Sequence, residues 1–136
     1  MTTKILCATD GSAHSDAALA AAAEMAAKFG APLSLIAVNI QVSEGRGRSH
    51  ALWTDQEIEE ILASARQKAR SHTEVAIETV KAAGRDPTDV IVDFADRNGF
   101  DHVVVGTPRT GVSRLILGSV AAAVVAKAHC PVTVAR

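Results

Sequence analysis

Asp10 ends one apolar run, Gly106 ends another, and a Gly118-Ser119 pair lies twelve residues beyond Gly106. A carboxylate, a glycine that admits close backbone approach and a Gly-Ser opening a helix with free N–H groups and a hydroxyl are the parts of an anion site. Together they point to a phosphate. Thr107, Arg109 and Arg114 lie in the intervening loop, where an arginine meets phosphate charge or is simply solvated. The same residues also make ordinary turns: Gly106 and Gly118 suit two tight turns, and Asp10-Gly11-Ser12 suits an Asx turn or helix cap.

Other chemistries have less support. No Gly-x-Ser-x-Gly elbow is present for a triad nucleophile. The histidines at 14, 50, 72, 102 and 129 show no pair at helical ligand spacing, and neither Cys7 nor Cys130 has a Cys-x-x-Cys partner, so no metal site is expected. His129-Cys130 reads as a helix end followed by a buried strand residue. No lysine precedes Ser119 as in a Walker loop, and no Gly-x-Gly-x-x-Gly follows the first apolar run, which disfavours ordinary NTPases and dinucleotide enzymes. Lys plus Arg number 14 against 15 Asp plus Glu, and aromatics are 3%, so neither a phosphate-backbone binder nor a base-stacking platform is indicated. Two cysteines inside apolar runs suit small buried hydrophobes in a reducing cytoplasm. No apolar stretch is long enough to span a bilayer.

A chain of 136 residues fits one domain, expected to cover residues 1–136. Buried strands are expected at Lys4–Thr9, Leu33–Val38, His102–Val105 and Pro131–Val134, with Val75–Val80 as a half-buried edge strand. Between the first two lies a helix whose inner stripe is Ala18, Leu19, Ala22, Met25, Ala26 and Phe29, stopped by Gly30 and Pro32. Thr54-Asp-Gln-Glu57 is a capping box opening a helix to about Arg70 with Ile58, Ile61, Leu62, Ala65 and Ala69 inward. Asp86-Pro87 opens a third helix carrying Val90, Ile91, Phe94 and Ala95, which Gly99 ends, and Gly118 or Ser119 opens the fourth. Residues 39–53 carry no period and read as a long flexible loop with a basic tip at Arg46-Gly47-Arg48. Alternating strands and helices predict an α/β three-layer sandwich whose ligand cleft opens at the carboxyl ends of the strands.

The run Ile5-Leu-Cys-Ala-Thr-Asp10-Gly-Ser12 before an Ala-rich helix, Gly84 ahead of Asp86-Pro87, Asp101-His-Val-Val-Val-Gly106, Leu117-Gly118-Ser119-Val120 and Cys130-Pro131-Val-Thr-Val134 together resemble the universal stress protein (UspA-like) family along essentially the whole chain. The resemblance implies a five-stranded parallel sheet of order 3-2-1-4-5, adenine nucleotide alpha hydrolase-like and Rossmann-like, in a cytoplasmic homodimer joined through the last strand. It further implies a regulatory module without designed catalysis that binds ATP or AMP. The ribose role falls on Asp10, adenine reading on the backbone at Val38, and the phosphates on Gly106 and on Gly118 with Ser119. Thr9 and Val120 flank them, and Thr107 and Arg109 belong to the loop. The family's ATP-binding pattern is Gly-x-x-Gly, nine residues, then Gly-Ser or Gly-Thr. Here Arg109 occupies the second glycine's place and Gly118 arrives one residue early. Two readings stay open: an adenine-nucleotide site, and an interaction protein with a repurposed, shortened loop. A receiver domain shares the strand order, but nothing after Val80 supplies its acceptor aspartate.

Overall fold

The computed structural model describes residues 2–108 and 118–136. Its elements are β1 (Ile5–Ala8), α1 (Ala13–Phe29), β2 (Leu33–Gly45), β3 (Arg48–Ala51), α2 (Asp55–Arg70), β4 (Ile77–Gly84), α3 (Pro87–Arg97), β5 (His102–Gly106), α4 (Ser119–Lys127) and β6 (Val132–Ala135). Five strands pair in parallel as β4-β2-β1-β5-β6, which is the expected 3-2-1-4-5 order once β3 is set aside. β3 adds an antiparallel sixth strand to the far end of β2.

Alternation along the buried strands decides which helices cover which face. Ile5, Cys7, Leu33, Leu35 and Val104 meet α1 and α2, while Leu6, Ile36, Val38, Val103 and Val105 meet α3 and α4. Ala18, Ala22, Ala23 and Ala26 are fully buried on α1, so that helix lies close against the sheet. Burial pushes the Cys7 thiol up to about 12, so it behaves as a small hydrophobe. The capping box of α2 forms as expected, Glu57 N–H donating to Thr54 Oγ1 and Thr54 N–H to Glu57 Oε1, each at 3.1 Å.

Four expectations need correction. Residues 39–53 are not a loop: β2 runs to Gly45 and turns through Gly45, Arg46 and Gly47, all at positive φ, into β3. This hairpin has no apolar alternation because β3 is exposed throughout. Its base is fixed by Asn39, whose side-chain amide donates to Trp53 O and whose Oδ1 accepts Trp53 N–H, both at 2.9 Å. Phe29 does not join the α1 stripe and is 46% exposed. Gly30 turns left-handed and Ala31 N–H donates back to Ala26 O at 3.0 Å, so the buried Ala31 closes that end instead. The edge strand spans Ile77–Gly84, later than Val75–Val80, because β2 extends and offers a ladder as far as Ile40. Cys130 is half-buried and precedes β6, since Pro131 holds it outside the strand.

The chain's start is tied to β5. Asp101 accepts Thr3 N–H at 2.9 Å, the Thr3 hydroxyl at 2.7 Å and Lys4 N–H at 3.1 Å, while Lys4 Nζ lies 4.4 Å from the centre of the Phe100 ring. Desolvation works to raise the Asp101 carboxyl, but these donors outweigh it and hold the group below the ordinary aspartate value. A folded value below the unfolded one makes the stabilisation complete above about pH 4 and lost as pH falls through the folded value. Asp101→Asn is expected to lower unfolding free energy by about 1 kcal/mol at pH 7. In urea titrations the gap to the parent should narrow as pH falls below about 4, and a gap that stays constant as pH is lowered would rule the clamp out.

Candidate functional site

β1 stops at Ala8, and Thr9 N–H makes the last bond to β2, donating to Ile36 O at 2.9 Å. In a parallel ladder the N–H and C=O of every second residue face the same neighbour, so the next groups of β2 on that side belong to Val38. β3 rejoins that side only further on, with Leu52 N–H donating to Ile40 O at 2.9 Å. Between the two lies a gap in the sheet, lined by the backbone of Val38. The order also reverses here, because the chain leaves β1 toward β2 and returns through α3 to β5 on its other flank.

A cleft of about 300 Å³ opens at this point. Seven of the nine expected site residues line it: Thr9, Asp10, Val38, Gly106, Gly118, Ser119 and Val120. Thr107 stands behind the wall, only 1% exposed, its Oγ1 accepting Gly118 N–H at 2.7 Å and its own N–H donating to Ala135 O. It positions the start of α4 and does not face the cleft. Arg109, like Arg114 and Gly111, lies outside the described residues.

Ile36, Val38, Ile40 and Ile91 make part of the cleft wall apolar. On the cleft's border α4 begins with Gly118 as N-cap, which has no side chain to satisfy the first-turn amides, and no acidic residue lies in that turn. The N–H groups of Ser119 and Val120 and the positive end of the helix therefore front the cleft. Asp10, also lining the cleft, forms the Asx turn considered from sequence: Ser12 N–H donates to Oδ1 at 2.9 Å and the Ser12 hydroxyl donates to the same oxygen. Oδ2 lies 3.8 Å from His14 Nε2. Desolvation raises the Asp10 carboxyl, yet the Ser12 donors, followed by His14 charge and the Ser15 hydroxyl, bring it below the ordinary value. The turn thus occupies one carboxylate oxygen and leaves the group anionic.

Gly106 has a reason that sequence reading did not supply. A Cβ there would stand 2.3 Å from His14 O and 2.9 Å from its carbonyl carbon, so α1's first turn rests directly on the end of β5. Sequence reading also missed His14, Leu52 and Trp53, all of which border the cleft. The sole tryptophan at the foot of the 39–53 segment was the available signal for the last two. A second crevice, of about 310 Å³, shares Thr9 and Trp53 but is lined by Asp16, Glu57 and Glu60 with Lys68. Three carboxylates repel an anion, so a phosphate belongs in the first cleft. Among the described residues no group of three or more His, Cys, Asp and Glu gathers to hold a metal ion.

The model of the universal stress protein family matches residues 1–136. Universal stress protein MJ0531 of Methanocaldococcus jannaschii is 36% identical over 141 residues, spanning 98% of this chain and 81% of that protein. A crystal structure of a universal stress protein in complex with cAMP superposes with TM-score 0.77 at 28% identity, covering 99% of this chain and 97% of the other. The Archaeoglobus fulgidus universal stress protein in complex with dAMP gives TM-score 0.73 at 29% identity, covering 98% of each chain.

Gly106→Ala is expected to cost about 1–3 kcal/mol, because the atom it would displace is backbone and cannot rotate away. Chemical denaturation checks this, and an unchanged midpoint would mean that α1 and β5 separate more easily than their packing indicates.

Proposed function

The chain belongs to the universal stress protein family, and from that membership we propose that it is a cytoplasmic, dimeric regulatory module that binds an adenine nucleotide in the cleft between β1, β2 and α4. Residues 1–136 act as the single domain that carries this site. The observation that carries the reading is that α4's uncapped first turn, Asp10 and the apolar side chains of Ile36, Val38 and Ile91 line one cleft. A nucleotide has the same distribution of chemistry: a flat apolar base, a hydroxylated sugar and a phosphate. Adenine enters between Ile36, Val38 and Ile91 and presents its amino and ring-nitrogen edge to the Val38 backbone, which offers one donor and one acceptor. Oδ2 of Asp10 accepts from the ribose. Phosphate meets the amides of Ser119 and Val120 and the Ser119 hydroxyl, with Gly106 as the floor and Thr9 and Val120 as flanks. Thr107 contributes by holding Gly118, and Arg109 adds charge from the loop. Relatives solved with cAMP and dAMP support a mononucleotide as ligand.

The Ser12 donors hold Asp10 Oδ1, which leaves that oxygen poorly placed to act as a general base. Binding is the function, and hydrolysis of ATP is at most incidental. Among the described residues β6 pairs with β5 alone, as the last strand at the sheet's edge, and Val125 of α4 is exposed. A second copy meets that edge, and the mass in solution should be twice the 14.1 kDa of one chain.

One sequence feature favours the alternative of an interaction protein with a repurposed loop: Arg109 stands where the ATP-binding pattern has glycine, and Gly118 comes one residue early. Calorimetry with ATP, AMP and cAMP, together with mass analysis of small molecules released from the purified protein, decides between the two. Micromolar binding of at least one nucleotide, weakened about tenfold by Asp10→Ala, is the expected result. Absence of binding to all three at millimolar concentration would leave the interaction protein standing.

A further inference from the structure

β2 presents one side to the cleft, the side on which β1 stops and β3 begins. Ala8 stands level with Ile36, which puts Thr9 level with Ala37. Gln41 stands level with Ala51, and the same register carried back pairs Ile40 with Leu52 and Asn39 with Trp53. The hydrogen bonds at this corner agree, since Leu52 N–H donates to Ile40 O and Asn39 exchanges two bonds with the Trp53 main chain. The lane between Thr9 and Leu52 is therefore three residues long, about 10 Å at the rise of an extended strand. One ring system lying edge-on to Val38 spans it.

Side-chain direction puts Leu52 on the cleft's face of the sheet. Opposed residues of an antiparallel pair point to the same face, so Leu52 shares the face of Ile40 and, by alternation, that of Val38 and Ile36. Trp53 points the other way and packs against Ala37, Ile58 and Leu62. Leu52 has no such packing: it is 51% exposed, yet it lines the cleft. We propose that Leu52 is a specificity-determining residue of the site, closing the β3 end of the base slot beside the exocyclic amino group of adenine. This rests on the nucleotide reading above and adds to it the side chain that sets which bases fit.

Chain direction decides which part of the base Leu52 meets. Within one residue of an extended strand the N–H precedes the C=O, so at Val38 the donor lies on the Thr9 side and the acceptor on the Leu52 side. An adenine that reads this backbone gives a ring nitrogen to the N–H and its amino group to the C=O. The amino group then lies nearer Leu52, and a bulky substituent on its nitrogen runs into that side chain. Shortening Leu52 opens the space such a substituent needs, at the cost of apolar contact with the unsubstituted base.

The probes are AMP and AMP carrying a benzyl group on the exocyclic amino nitrogen, measured by calorimetry on the full chain with Leu52→Ala beside the parent. The parent should bind AMP roughly tenfold or more tightly than the benzyl derivative. Leu52→Ala should weaken AMP about threefold and tighten the derivative, bringing the two within about threefold of each other. A hairpin merely loosened by the truncation would weaken both ligands alike and keep their ratio. In the parent, the methyl resonances of Leu52, assigned by their loss in the variant, should shift along the saturation curve of AMP. A ratio unchanged in Leu52→Ala, a parent that takes both ligands equally, or unmoved Leu52 methyls each overturns this inference while leaving AMP binding intact. Failure of AMP to bind the parent at all removes the nucleotide reading and this inference with it.

Discussion

The site depends on one mismatch of lengths: β1 ends at Ala8 while β2 continues to Gly45. A sheet cannot leave main-chain donors and acceptors facing nothing, and where one strand stops before its neighbour the unpaired groups must find water, side chains or a ligand. At Ile36 the partner is Thr9, at Ile40 it is Leu52, and between them Val38 turns its peptide groups toward the cleft. α4 repeats the situation in helical form, since Gly118 gives its first amides no side-chain cap. Both deficits open onto the same space, which makes the cleft polar at its backbone and apolar at its side chains.

That arrangement also explains how the cleft can suit an anion with so little formal charge among its described residues. An oriented helix end supplies about half a positive charge without the desolvation cost of burying a lysine. Asp10 would oppose it, but Ser12 ties down one of its oxygens, and the other lies 3.8 Å from His14 Nε2. The neighbouring crevice, with Asp16, Glu57 and Glu60, makes the contrast plain, since equal volume with three carboxylates repels the same ligand.

Much of this was legible in the chain because its strands are buried on both faces. Continuous apolar runs such as Ile5–Ala8 and Val103–Val105, separated by helices with explicit caps at Thr54 and Asp86, specify a parallel sheet, while its strand order came from the family resemblance. Seven of the residues that line the cleft were named from sequence, most of them for their place at a strand's carboxyl end or a helix's start; Val38 instead lies within β2, which runs on to Gly45. The hairpin was not, because both its faces meet solvent and exposed strands carry no period-two signal; Asn39 and Trp53 hold it by side-chain-to-backbone bonds that local pattern does not announce. Phe29 was misplaced because its helix closes through Ala31. Gly106 was identified as a place where backbone approaches closely, but the close neighbour in the fold is α1's first turn. His14 went unnoticed because a single histidine in an alanine-rich helix has no spacing that marks it.

The central claim is that an adenine nucleotide lies across the gap at Val38 with its phosphate on the first turn of α4. Backbone amide NMR during titration with AMP tests it most directly. The account predicts that the amides of Val38, Ser119 and Val120 shift together along one saturable curve while those of Glu57, Glu60 and Ser64 beside the acidic crevice stay in place. Shifts confined to that crevice, or no saturable shift at Ser119 and Val120, would contradict it.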